Sequence, residues 1–320
     1  GAAFRLGAAQ RRNHLSMTQS FVIAPQWIGD AVMTEPLMRR LAARGERLTV
    51  GALPWVAPVY RAMPQVAEVI EFPFQHGGLQ FKARRQLARQ LGGRFDIAYV
   101  CPNSLKSALL PFLASIPKRV GYLGEARVGL ITHRLKNPPK GTRPPMVAFY
   151  SALSGDTDIT NDRPQLHADA AEAASALAAM GQTRGGYYVF APGAEFGPAK
   201  RWPAAHYSEL AGSLDLPVVL LGSAKEAALC DEIAAPVNAA QPGKCLNLAG
   251  KTSLAHAFIA ISATKSIVSN DYGLMHVTAA FGVPQIAIFG SSSPLHTPPL
   301  NDKATVVWLK NDTSYLPPLH

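Results

Sequence analysis

A chain of 320 residues, 48% hydrophobic and 16% charged, can build two ordinary globular domains, and it holds no apolar run long enough to span a bilayer as a helix. The net charge of +10 belongs to one half: residues 1–165 carry 22 Lys and Arg against 10 Asp and Glu, whereas residues 166–320 carry 9 against 11. The first half is therefore suited to an anionic partner, whether nucleic acid, a phosphorylated lipid or a membrane surface, although a solvated basic face accounts for the same numbers. Three widely spaced cysteines, Cys101, Cys230 and Cys245, with no CxxC, exclude a disulfide or zinc framework and fit a reducing cytoplasm.

Residues 1–16 hold three arginines and no apolar signal-peptide core, and read as an extension ahead of Met17. A strand is predicted over 21–24, a loop over 25–29, and a helix over 30–43 with Val32, Met33, Leu37 and Leu41 on one face. Strands over 48–52, 66–72, 97–101 and 119–122 follow, separated by a basic helix over 79–91 and a helix over 104–114. Residues 123–145 read as an irregular basic segment, and a helix over 146–153 closes the half. The polar, turn-bounded stretch 155–164 is the linker.

The second half repeats the alternation. A helix over 170–180 leads to a strand over 187–191, a Gly/Pro loop over 192–202 and a helix opened by Pro203. A strand over 216–221 and helices over 224–234 and 253–262 come next. The strand over 266–270 runs into a helix over 272–281, stopped by Gly282 and Pro284; a further strand and a last one over 306–309 complete the chain. Strands alternating with helices predict an α/β protein of two Rossmann-like domains, 17–160 and 161–320, facing across a cleft.

Three strand-to-helix turns could carry chemistry. Asp30, after Gly29, is placed to present a carboxylate into the cleft as a general base, or to cap its helix. The loop from Pro192 to Trp202, with two Gly, two Pro and Lys200-Arg201, resembles a phosphate cradle, but matches neither GxxxxGK[ST] nor GxGxxG. Asp271 sits at a strand end beside a helix N-terminus, where backbone N–H groups and the helix dipole favour an anion, and His276 follows on the first turns. Asp156-Thr-Asp158 falls in the linker and reads as solvated turn chemistry, not a metal site. No cluster has metal-ligand spacing.

The stretches IAPQWIGDAVMTEPL, PGAEFGPAKRWP and SNDYGLMHVTAAFGVPQIAIFGSSSP, spread in order over residues 21–316, resemble the lipopolysaccharide heptosyltransferase family. The resemblance implies a glycosyltransferase B fold, with the acceptor bound by 17–160 and the nucleotide sugar by 161–320. It implies inverting transfer of L-glycero-D-manno-heptose from ADP-heptose to the first heptose of the lipid A inner core, with no cofactor and no metal. It makes Asp30 the catalytic base and sets Lys200 on the phosphates. Ala194 and Glu195 lie where loop backbone meets the nucleotide, Glu226 at the ribose and Thr252 on the adenine side. Asp271, Gly273 and His276 match the sugar- and phosphate-binding signature.

Two departures stand out. Tyr272 replaces a small Ser or Thr, keeping only the backbone N–H as a donor to phosphate, and the sequence ends at His320 where relatives continue into a terminal helix. The implied partners are ADP-heptose, a Kdo-lipid A acceptor whose anionic groups suit some of Lys82, Arg84, Arg85, Arg89, Lys118, Arg119, Arg127, Arg134 and Lys136, most of them expected to face solvent, and the anionic inner leaflet, with the protein cytoplasmic and peripheral at the inner membrane. No nucleic-acid partner is expected, because no aromatic-and-basic recognition motif accompanies the charge. Two other readings stay open: a transferase or epimerase of this fold for another nucleotide sugar, and a weakly catalytic protein that binds nucleotide or lipopolysaccharide.

Overall fold

A computed structural model of the chain describes residues 17–74, 78–139, 144–194, 200–295 and 297–309. In the first half β1 (Gln19–Ile23), β2 (Arg47–Ala52), β3 (Val66–Glu71), β4 (Ile97–Val100), β5 (Lys118–Tyr122) and β6 (His133–Leu135) form a parallel sheet in the order β3-β2-β1-β4-β5-β6. In the second, β7 (Tyr188–Ala191), β8 (Val218–Leu220), β9 (Cys245–Asn247), β10 (Ser266–Asn270), β11 (Gln285–Phe289) and β12 (Ala304–Trp308) form another, in the order β12-β11-β10-β7-β8-β9. Counted from its own first strand, the second sheet has the same order as the first. Each reverses direction beside that strand, between β1 and β4 and between β7 and β10, which opens a crevice at the carboxyl ends.

Helices cover both faces. They are α1 (Ile28–Met33), α2 (Glu35–Ala43), α3 (Ala57–Arg61), α4 (Phe81–Leu91), α5 (Leu105–Leu113) and α6 (Met146–Ser151) in the first half. In the second they are α7 (Ala170–Ala179), α8 (Ala204–Ser213), α9 (Ala227–Ala240), α10 (Leu254–Ala263) and α11 (Gly273–Ala280). The period of two along each strand sorts side chains between layers. Phe21 and Ile23 join Leu87, Leu91 and Leu110 beneath α4 and α5, while Val22 turns to Val32, Leu37 and Tyr60. Phe190 likewise joins Tyr207 and Ile233 on the outer face of the second sheet, while Val189 and Ala191 face inward. The inward cluster continues from Val22 and Val32 through to Leu274 and Val277, so one core bridges the two sheets.

Several boundaries differ from the sequence reading. The helix predicted over 30–43 is two helices meeting at Thr34, because Pro36 cannot donate to the preceding turn and stands at the start of α2. Residues 123–145 contain β6, a three-residue edge strand too short and polar to show a period. β9 and α3 are likewise too short to show a period. The helix predicted from 224 opens as a 3-10 turn over Ala224–Glu226 before α9.

The linker is tied down. Arg40 on α2 pairs with Asp162 at 2.6 Å and Asp156 at 3.1 Å, and Arg44 also pairs with Asp156. Asp156 is therefore an ion-pair partner where a solvated turn was expected. Buried Glu35 accepts from the Gln165 backbone N–H at 2.9 Å, which joins α2 to the start of the second half, and Leu166 N–H donates to the Ala280 carbonyl at 3.0 Å.

Candidate active site

The last buried residue of β10, Asn270, organises the donor-side loop. Its amide donates to the Pro192 carbonyl at 2.7 Å, and its oxygen accepts from Trp202 N–H and the Tyr207 hydroxyl, both at 3.1 Å. Each bond is worth about 0.5–1.5 kcal/mol net. Together they clamp both ends of the Gly/Pro loop to the sheet and deliver Lys200 to Asp271, Nζ to Oδ2 3.1 Å. α11 begins at Gly273; its N-cap residue Tyr272 makes no side-chain capping bond, and Tyr272, Gly273 and Leu274 place this amide end in the cleft lining.

Across the cleft β1 runs into α1. Trp27, not Asp30, occupies the N-cap position; Asp30 lies in the first helical turn, which excludes the capping role left open above. Burial raises the Asp30 carboxyl above the ordinary carboxylate range, and a hydrogen bond from Tyr150 on α6 partly offsets this. The two halves touch where α1 meets α11. An ideal Cβ on Gly29 would lie 2.9 Å from Cδ2 of His276, and one on Gly273 would lie 3.3 Å from Cβ of Ile28. Only glycine at both positions lets the helix ends approach this closely. His276 is 8% exposed. Burial drives its imidazole down to about 4 against the opposing pull of Asp271, so it is neutral at pH 7.

Asp30, Ala194, Lys200, Glu226, Asp271, Tyr272, Gly273 and His276 all line one cleft of about 870 Å³. Glu226 is fixed there by a capping box: its Oε2 accepts from Ser223 N–H at 2.8 Å and Ser223 Oγ at 2.5 Å, and Gly193 and Gly222 pack on its stem. The Tyr272 ring lies against Gly193, where an added Cβ would meet Cε1 at 3.5 Å. Thr252 is not brought to this cleft; it lines a separate hollow of about 600 Å³ with Met180, Leu248 and His256. Glu195 lies outside the described residues. Sequence reasoning missed Trp27, Trp55, Ser223, Lys225 and Thr297, which also line the cleft. Ser223 alone carried a legible signal, the Ser-Ala-Lys-Glu spacing of a capping box.

A second cavity, about 610 Å³, lies wholly in the first half over the carboxyl ends of β1, β2, β3 and β4. Asp30, Arg84, Lys106 and Glu125 are its charged lining, amid Leu53, Phe72 and Phe74. Arg84 stacks on Phe74 at 4.2 Å. Of the other basic residues singled out, Arg127 is a buried strut donating to the carbonyls of Pro102 and Tyr122, and Arg119 donates to those of Leu130 and Ile116. Asp30, Gln26 and Trp27 line both cavities. Among the described residues no group of three or more His, Cys, Asp or Glu could hold a metal ion, and no helix is long and apolar enough to cross a membrane.

The chain and its fold have close relatives. Residues 84–316 match the family model glycosyltransferase family 9 (heptosyltransferase). The chain is 44% identical over 304 residues to lipopolysaccharide heptosyltransferase 2 of Escherichia coli (strain K12), covering 90% of this chain and 87% of that protein. It is 38% identical over 307 residues to lipooligosaccharide heptosyltransferase 2 of Haemophilus influenzae, covering 90% and 88%. A solved structure of E. coli ADP-heptose LPS heptosyltransferase II superposes with a TM-score of 0.83 at 42% identity, over 91% of this chain and 90% of that one. Paired Rossmann-like sheets, the cleft and these likenesses over nine-tenths of the chain have one reading: the protein belongs to glycosyltransferase family 9, the heptosyltransferases.

Proposed function

We propose that the protein moves L-glycero-D-manno-heptose from ADP-heptose to the first heptose of the lipopolysaccharide inner core, with inversion, as a heptosyltransferase of the second type. The observation that carries this reading is that Asp30 stands at the junction of the two cavities, one in the first half and one shared with the second. In the proposed reaction the acceptor lies in the first-half cavity and the donor in the larger cleft. Asp30 takes the proton of the acceptor hydroxyl as that oxygen bonds to the anomeric carbon. The bond from that carbon to the diphosphate breaks, and its electron pair leaves with ADP.

Charge developing on the diphosphate meets the Lys200 ammonium and the N–H groups at Gly273. Asp271 serves to hold Lys200 in place, and Glu226 faces the ribose. Tyr272 contributes backbone here, since its ring turns to Gly193. The reaction is proposed to need no metal: cationic stabilisation comes from Lys200, and the Asp156 carboxylate of the Asp-Thr-Asp triplet is already paired with Arg40 and Arg44. The protein is proposed to work at the cytoplasmic face of the inner membrane. Exposed Leu79, Phe81 and Leu105, with exposed Lys82, Arg85 and Arg89 beside them, offer an apolar and basic face next to the acceptor cavity, suited to an anionic leaflet.

The test is a transfer assay with ADP-heptose and monoheptosylated Kdo-lipid A, run beside UDP- and GDP-sugars and repeated with Asp30→Asn. Transfer from ADP-heptose alone, lost in the variant while ADP binding persists, is the expected result. Near-normal turnover by Asp30→Asn would remove the base assignment, and preference for another nucleotide sugar would remove the donor.

A further inference from the structure

One buried residue beside Asp30 comes from the far end of the first half. Tyr150, on α6, is 4% exposed and lines the first-half cavity beside Asp30. Its hydroxyl shares that lining with the Asp30 carboxyl and is close enough to pull it down against the effect of burial. The Tyr150 ring is buried and meets Phe149 edge-on, with centroids 5.6 Å apart; Phe149 in turn stacks on Tyr122 at 3.9 Å, and the Tyr122 hydroxyl donates to the Phe149 carbonyl at 2.7 Å. α6 packs on both α1 and α2, so the tyrosine and the carboxylate are carried by helices in direct contact.

We propose that Tyr150 is a positioning residue for the reaction, its hydroxyl engaging one part of the Asp30 carboxylate so that the remainder is presented to the acceptor hydroxyl. The inference rests on the reading of Asp30 as the base. Its physical content has two parts. A carboxylate on a short side chain has two rotatable bonds, and one donor from a buried ring favours a single orientation. A hydrogen bond to the charged form also favours that form, so Tyr150 keeps a buried carboxylate ionised and competent as a base at neutral pH. Burial holds the Tyr150 proton far above the ordinary tyrosine range, so the tyrosine remains the donor throughout.

The other titratable groups near Asp30 do not supply this bond. Tyr60 on α3 gives its hydroxyl to the Thr34 hydroxyl at 2.9 Å, and Cys101, beyond β4, is a buried thiol held protonated by burial. Glu35, on α2, faces Gln65 and Gln165, and His276, on α11, is neutral at pH 7. Around the two cavities the charged groups are Arg84, Lys106 and Glu125 on one side. On the other they are Lys200, Arg201, Lys225, Glu226 and Asp271.

The experiment compares kcat/KM against pH for the wild type, Asp30→Asn, Tyr150→Phe and a protein with 3-fluorotyrosine at position 150, a near-isosteric and stronger donor. Tyr150→Phe is expected to move the acidic limb up by about one pH unit, a tenfold loss below the limb, and to lower the plateau kcat about tenfold, with both KM values within about twofold. Fluorotyrosine is expected to move the limb the other way, and it gives the answer even if the Phe variant folds poorly. A limb that stays in place in both Tyr150 proteins while vanishing in Asp30→Asn overturns the role of Tyr150 alone. Asp30→Asn that keeps the wild-type turnover and limb overturns the base reading beneath it.

Discussion

Gly29→Ala tests whether the contact between α1 and α11 is as close as it needs to be. The added methyl would sit 2.9 Å from Cδ2 of His276, whereas carbon pairs rest at about 3.5–4.0 Å, so ring or helix must retreat by at least about 0.6 Å. Buried His276 has little room to do so, and such overpacking costs about 1–3 kcal/mol. Alanine regains about 1 kcal/mol of helix propensity over glycine, so the expected net loss is at most about 2 kcal/mol. With His276→Ala the ring is gone, and the next atom, Cα of Gly273, stands at an ordinary 3.8 Å. In that background Gly29→Ala is expected to be neutral or to stabilise by up to about 1 kcal/mol. Urea unfolding of the four proteins, followed by far-UV circular dichroism, gives the coupling directly. The single variant is also expected to lose about 10²-fold in kcat, because Asp30 is the next residue and a shift of about 1 Å is enough. An equal cost of Gly29→Ala in both backgrounds would refute the argument.

Lys200→Met keeps the length of the side chain and removes its charge; a drop in kcat of about 10²–10³-fold is expected in the transfer assay, and a change under about threefold would show that the diphosphate does not depend on it. Glu35 gives a pH dependence of opposite sign to the usual carboxylate. Burial pushes its carboxyl up to about 7 from an ordinary 4.5, so the folded state retains the proton between those values and stability falls as pH rises through that window, by at most about 3 kcal/mol. Glu35→Gln cannot ionise and keeps an oxygen for the Gln165 amide. Its stability relative to wild type is therefore expected to rise between pH 4.5 and 7 and then level off; a difference in melting temperature that is flat with pH would contradict this.

The strand and helix sequence was largely legible because hydrophobic period and Gly/Pro punctuation act over a few residues. β7, β10 and α11 lie within a residue or two of their predicted bounds. The break at Thr34 was missed although Pro36 stands in the sequence, because the apolar face continues through it. The three-residue strands β6 and β9 were not legible, because their identity comes from the neighbour they pair with. In the site, Asp30, Lys200 and Asp271 could be picked out as polar residues at strand ends. Tyr150 could not, because nothing in MVAFYS distinguishes a tyrosine that packs in the core from one that serves a carboxylate far away in the chain.

The sequence by itself determined which turns could hold chemistry: a carboxylate after Gly29, a cation in a Gly/Pro loop, an acidic turn before α11. Those are properties of local spacing. Only the tertiary structure decided that they face one cleft, that Lys200 meets Asp271 across 71 residues of sequence, that Thr252 lies elsewhere, and that Gly29 rests on His276. The reason is geometric: each sheet brings its own strand ends together, but only the shared core between the sheets sets how the two carboxyl edges meet.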